Sequence, residues 1–154
     1  MKIKSTIPML ALLVSAGALA GGASAAGSGS TLLIRHQLHG CHSWSANGDA
    51  YKATQAIKLH RGASLSVTNN DVMPHKLIET SGPAVTFTRG KTGMGMGLKG
   101  TFTPAMLPRM GSSSKLTFTK PGVYKFTTKA GEDYMTGVKT VGEDNVLRVT
   151  VTVS

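Results

Sequence analysis

Beyond residue 30 no segment of this chain keeps a helical period. Short runs rich in Val, Thr, Leu and Phe follow one another instead. Apolar residues at every second position build half-buried strands rather than helices. The last run is the cleanest, with Val149, Val151 and Val153 on one face and Arg148, Thr150 and Thr152 on the other. The pattern predicts strands at 31–38, 55–59, 64–68, 76–79, 85–88, 115–119, 122–128 and 145–153. Residues 51–58 also admit a turn of helix, on a weak pattern. Arg61-Gly62-Ala63 and Lys120-Pro121-Gly122 have the composition of tight turns. Residues 82–114 are the least regular part and are expected to form a long surface excursion. The expectation is an all-β protein, a sandwich or barrel.

The N-terminal segment has a different character. Lys2 and Lys4 precede an apolar run over 7–20, broken only by Pro8, Ser15 and Gly17 and too short to span a bilayer comfortably. Ala23-Ser24-Ala25 then offers the small-x-small pattern of a signal peptidase site. These features predict a secretory signal over 1–25, a flexible leader over 26–30 and one domain over 31–154. The mature chain is then a monomer without an integral membrane segment, exported to the extracellular space, the periplasm or the cell envelope. A retained membrane anchor is the alternative.

A domain of this size can bury a core without staples. Its only cysteine, Cys41, has no internal partner for a disulfide. In an oxidising compartment such a thiol is a metal ligand, an intermolecular bridge or a buried inert group. The net charge is +10, falling to +8 once Lys2 and Lys4 are removed. The basic residues are scattered, which argues against nucleic acid and for an acidic protein partner or an anionic envelope surface. A basic surface with no specific partner is the plain alternative.

Cys41 lies in the stretch from His36 to Trp44, which also holds His36, His39 and His42, three of the five histidines. Thiolate and imidazole are the donors that copper and zinc prefer. Strand parity in an antiparallel sandwich brings the loop holding His39, Cys41 and His42 to the same end as the loop holding His75. It puts the Gly62 turn at the other end. Parity alone leaves open whether the loop of Glu132, Asp133, Tyr134 and Met135 joins them. Alternation puts His36 on the inward face with Ile34 and Leu38, and His36 and His60 are expected to be structural. Trp44 is expected to pack over the site. Met94, Met96, Met106 and Met110 could bind Cu(I) through thioethers. Gly-separated thioethers are poorly preorganised, so packing or docking is the favoured role.

Three stretches resemble the cupredoxins, the small blue copper proteins. The run from Ile57 through Gly62, Asn69 and Asp71 to His75 resembles the family's strand, glycine turn, strand, Asn-x-Asp and first histidine ligand. The run from Gly111 through Phe118, Gly122 and Tyr124 to Phe126 resembles the hairpin leading to the ligand loop. Met135-Thr136-Gly137 resembles the Met-x-Gly that closes that loop and supplies the axial thioether. The resemblance covers about half of the mature chain. It implies a Greek-key β-sandwich, a mononuclear copper site and electron transfer with a redox partner protein. The family's last loop also supplies a cysteine and a second histidine. Here threonine stands at the cysteine position, in Thr127-Thr128, and no histidine follows before Met135.

The missing donors are the two that the first connection holds. The resulting expectation is a rebuilt copper site of Cys41, His42 or His39, His75 and Met135, with Glu132 as a harder alternative to the thioether. Met73 is a further thioether, for which a core role is preferred. Asn69 and Asp71 are expected to fix the loop from behind. Other readings remain open. They are copper storage or delivery without redox turnover, an open copper site acting as an enzyme, and a metal-free envelope-associated sandwich bridged through Cys41. The chain has no Ser-His-Asp arrangement, paired-carboxylate site or phosphate loop.

Overall fold

The computed structural model describes residues 29–36, 42–94, 100–130 and 147–154. All regular structure there is β. The strands are β1 (Ser30–His36), β2 (His42–Ala46), β3 (Thr54–Leu59), β4 (Ser64–Asn70), β5 (His75–Ser81), β6 (Thr86–Thr92), β7 (Met106–Leu107), β8 (Ser112–Thr117), β9 (Gly122–Ala130) and β10 (Arg148–Val153). No described helix is long and apolar enough to cross a membrane. The expected signal over 1–25 lies outside the described residues.

Two five-stranded sheets form, in the orders β2-β1-β4-β8-β6 and β3-β10-β9-β5-β7. From β2 to β9 every connection crosses from one sheet to the other. The inner faces make one core, as the expected sandwich requires. Two pairings are parallel, β1 with β4 and β3 with β10, and the others are antiparallel.

The alternation of each strand fixes its face. In β10 Val149, Val151 and Val153 are buried, and β3 matches them with Gln55, Ile57 and Leu59. One end of the sandwich, the base, is strongly apolar. There Phe118 packs edge-on against Tyr124 at 4.9 Å and Phe126 at 6.3 Å. The Tyr124 hydroxyl donates to the Lys120 carbonyl at 2.6 Å, which braces the turn at Pro121 and Gly122. Arg61 N–H donates to Ser154 O and Gly62 N–H to Phe118 O, so the turn at Gly62 ties both sheets together at the base.

Towards the opposite pole the same inward rows turn polar. In β4, Leu65 and Val67 are followed by Asn69. In β5, His75 precedes Leu77. In β8, Ser112 and Ser114 precede Leu116. In β9, Tyr124 and Phe126 are followed by Thr128. All of these side chains are buried.

Four expectations differ from what forms. Residues 42–46 are a strand, so His42 opens β2 and pairs with His36 instead of lying in a loop. The strand over 54–59 excludes a helical turn there. Residues 82–114 contain β6 and β7 and are not one excursion. His36 is exposed, because it ends its strand beyond the last buried residue of that row, Ile34.

Glu79 follows His75 and Leu77 along β5, just before a register shift between Glu79 and Ser81. One of its carboxylate oxygens is enclosed. Burial raises its carboxyl above the ordinary value of 4.5. The folded state therefore holds this proton more tightly than the unfolded state does. The group's contribution to stability is greatest below 4.5 and falls as pH rises through the raised value. Glu79→Gln is expected to be more stable than the parent at neutral pH, with the difference shrinking towards zero below 4.5. Urea denaturation across that range checks this.

Candidate metal centre

Strand register assembles the pole. β1 runs parallel to β4, with Arg35 beside Asn70. The connection 37–41 therefore leaves and re-enters the sheet at the end where β4 stops. Five residues after Asn70, His75 opens β5, paired on one side with Ala130 and on the other with Leu107. Ala130 is the last residue of β9, so segment 131–146 departs beside His75. The attachment points of all three segments that carry candidate donors thus lie at one end. Strand parity had left this open for the third.

The described part of this pole is built by two consecutive Asx turns. The Asn69 side-chain oxygen accepts the Asp71 N–H at 2.9 Å, and Asp71 Oδ1 accepts the Met73 N–H at 3.0 Å. The Asn69 amide donates to Met73 O at 2.8 Å and to Leu107 O at 3.3 Å. Its backbone carbonyl accepts the Gly111 N–H at 2.6 Å. The loop over 71–74 is therefore held by its own side chains and by the segment before β8.

That loop delivers His75. The ring is fully buried, and its Nε2 lies 3.2 Å from Asp71 Oδ2, itself enclosed. With Asp71 ionised, its carboxylate can only accept, which puts the ring proton on Nε2. In a neutral ring the lone pair then sits on Nδ1. A carboxylate behind an imidazole is the arrangement that orients histidine ligands in metal sites. The donor chemistry therefore fits a borderline metal at Nδ1.

The other candidates stand as follows. The backbone of His42 is at the pole, opposite His36. Cys41, His39, Met135, Glu132 and Asp133 lie outside the described residues. Among the described residues no three His, Cys, Asp or Glu side chains gather into a metal-binding group. His60 is exposed, and Met73 is half-buried. Trp44 is fully buried in the core. Thr128 is buried opposite Leu77, one inward position from Ala130.

Sequence reasoning missed the role of residues 105–111. Pairing of Leu107 with His75, the Leu107 carbonyl and the Gly111 N–H all buttress the site. The one signal was Met106-Leu107 fenced by Pro104 and Pro108, a length too short to read as a strand.

Asp71→Asn leaves one acceptor oxygen for two buried donors. It is expected to destabilise the fold by about 1–3 kcal/mol at neutral pH. Asn69→Ala strands several backbone groups and is expected to cost on the order of 3 kcal/mol or more. Urea unfolding of both variants tests the ranking.

No protein-family model matches the sequence, and no curated protein matches it. Solved structures similar to the chain include a purple cupredoxin from Nitrosopumilus maritimus, 17% identical, covering 80% of this chain and 98% of that one, with a TM-score of 0.40. An oxidised variant of amicyanin is 16% identical, covering 79% of this chain and 80% of that one, with a TM-score of 0.35. A multicopper oxidase is 14% identical, covering 80% of this chain and 43% of that one, with a TM-score of 0.41. All three likenesses are distant, with identities of 17% or less and TM-scores of 0.41 or less.

Proposed function

We propose that the protein binds one copper ion at the pole where β1, β4 and β9 end. The ligands are Cys41, His75, one of His42 and His39, and Met135, and the bound ion serves electron transfer. The observation that carries this reading is the buried His75–Asp71 pair. Burying an imidazole and a carboxylate together is costly unless both are used. Here the carboxylate fixes the ring's tautomer and leaves Nδ1 as the donor.

The remaining support is chemical. The first connection holds the chain's only thiol, next in sequence to His42 and therefore within about 3.8 Å of it, Cα to Cα. Thr128 gives β9 a hydroxyl where the family has its thiolate, so a thiolate has to come from elsewhere in the chain. Thiolate, imidazole and thioether donors suit both oxidation states of copper, which when bound supplies one-electron exchange. Cys41 binds as the thiolate and gives up its proton. Asn69 and Asp71 hold the loop so that the ring of His75 need not move. The net charge of +10 favours an acidic redox partner. The N-terminal pattern favours export to the periplasm or beyond. A non-enzymatic carrier is the reading adopted. Storage or delivery of copper is the second reading, favoured by the exposure of Met94 and Met110.

Titration of the purified protein with Cu(II) is expected to give a visible thiolate charge-transfer band that saturates at one equivalent. Cys41→Ser abolishes the band and Thr128→Val retains it. Asp71→Asn weakens binding about 10–100-fold. Absence of any band, or a band that survives Cys41→Ser, refutes the proposed ligand set.

A further inference from the structure

The described methionines of residues 82–114 divide into two kinds. Met106 is buried in β7, where it pairs with Lys76, and its role is packing. Met94 and Met110 are 83% and 41% exposed. A single exposed apolar side chain is ordinary. Here both line one groove of about 770 Å³ on the outer side of the β2-β1-β4-β8-β6 sheet.

The backbone brings the two together. Met94 N–H donates to Met110 O at 2.9 Å. The preceding Gly93 has φ of 76°, a left-handed conformation that suits glycine. A Cβ there would meet Met110 O and Ser112 N at 2.6 Å. No larger residue lets the two segments approach so closely. Gly111, with φ of 79°, anchors the other side through its bond to Asn69 O. Glycine spacing in the sequence argues against preorganised thioethers. In the fold, Gly93 and Gly111 bring the backbones of Met94 and Met110 together.

The lining selects the ligand. Besides the two thioethers the groove presents the hydroxyls of Ser66, Thr68 and Ser113 and the chain of Lys91. The Ser113 hydroxyl already accepts the Lys91 N–H at 2.8 Å. No carboxylate or imidazole lines the groove among the described residues. Hard divalent cations need anionic oxygen donors, and the described lining offers none. Neutral, polarisable sulfur suits a soft monovalent ion. The geometry points to a second metal site, in which Met94 and Met110 bind Cu(I) or an ion of its class through their thioether sulfurs. The site shares the bond from Gly111 N–H to Asn69 O with the His75 pole but takes none of the ligands proposed there, so it stands whether or not copper binds at that pole. Binding is a simple association in which no electron or proton moves.

Ag(I) is a redox-inert probe for such a site. The experiment uses the whole chain carrying ¹³C-methyl methionine, as wild type and as Cys41→Ala to remove thiolate competition. The methyl signals of Met94 and Met110, assigned from Met94→Leu and Met110→Leu, are expected to move together and saturate with a single ion. Replacing either methionine should weaken the response of the other about tenfold or more, read by competition with a silver chelator. Zn(II) and Mg(II) should leave both signals unmoved. The proposal is overturned if either signal stays fixed with Ag(I). It is equally overturned if each responds unchanged when its mate is leucine, or if Zn(II) moves both as strongly. The charge-transfer band reports separately on the Cys41 ligand set, so the two proposals fail independently.

Discussion

One buried amide, that of Asn69, joins four pieces of chain. It holds the end of β4, the loop over 71–74, the carbonyl of Leu107 in β7 and, through its own backbone, the turn at Gly111. No apolar residue of similar size can replace it, because each partner it serves is a polar group away from water. The position of His75 follows from this arrangement. Its ring is set by a carboxylate that is itself set by an asparagine, and its backbone is flanked by β7 and β9.

The two ends of the sandwich differ in what they bury. At the base, aromatic rings and valine rows bury apolar area, the main favourable term in folding. At the pole, the same inward rows hold Asn69, His75, Ser112, Ser114 and Thr128. A core that changes character along its length can tolerate costly polar burial at one end because the other end supplies the driving force.

Much of this was legible in the sequence. Alternation in 145–153 and around Gly62 gave the strands and the base turn. The Asn-x-Asp spacing before His75 gave the loop. The misses have physical reasons. In β2, His42-Ser-Trp44-Ser-Ala46 alternates correctly, yet its metal donors drew attention to a loop. Ser43 and Ser45 are buried as well, so no polar face marks the strand. The strand expected at 85–88 forms as β6 but runs on to Thr92; that extension is exposed, so pairing with β8 defines it and hydrophobic pattern does not. For His36 the alternation was right, but a strand end reaches past the core. Of the expected ligand set, only His75 is described together with its side-chain surroundings.

The parallel pairing of β3 with β10 joins Thr54 to Arg148, and β10 also pairs with β9. Its six residues are therefore the keystone of their sheet, with a neighbour on each side. Until β10 docks, β3 has no strand to lie against in that sheet, and β9 presents an open edge. Closing so distant a contact is entropically expensive and comes late in folding. Docking of β10 is therefore the step that joins β3 to the rest of its sheet.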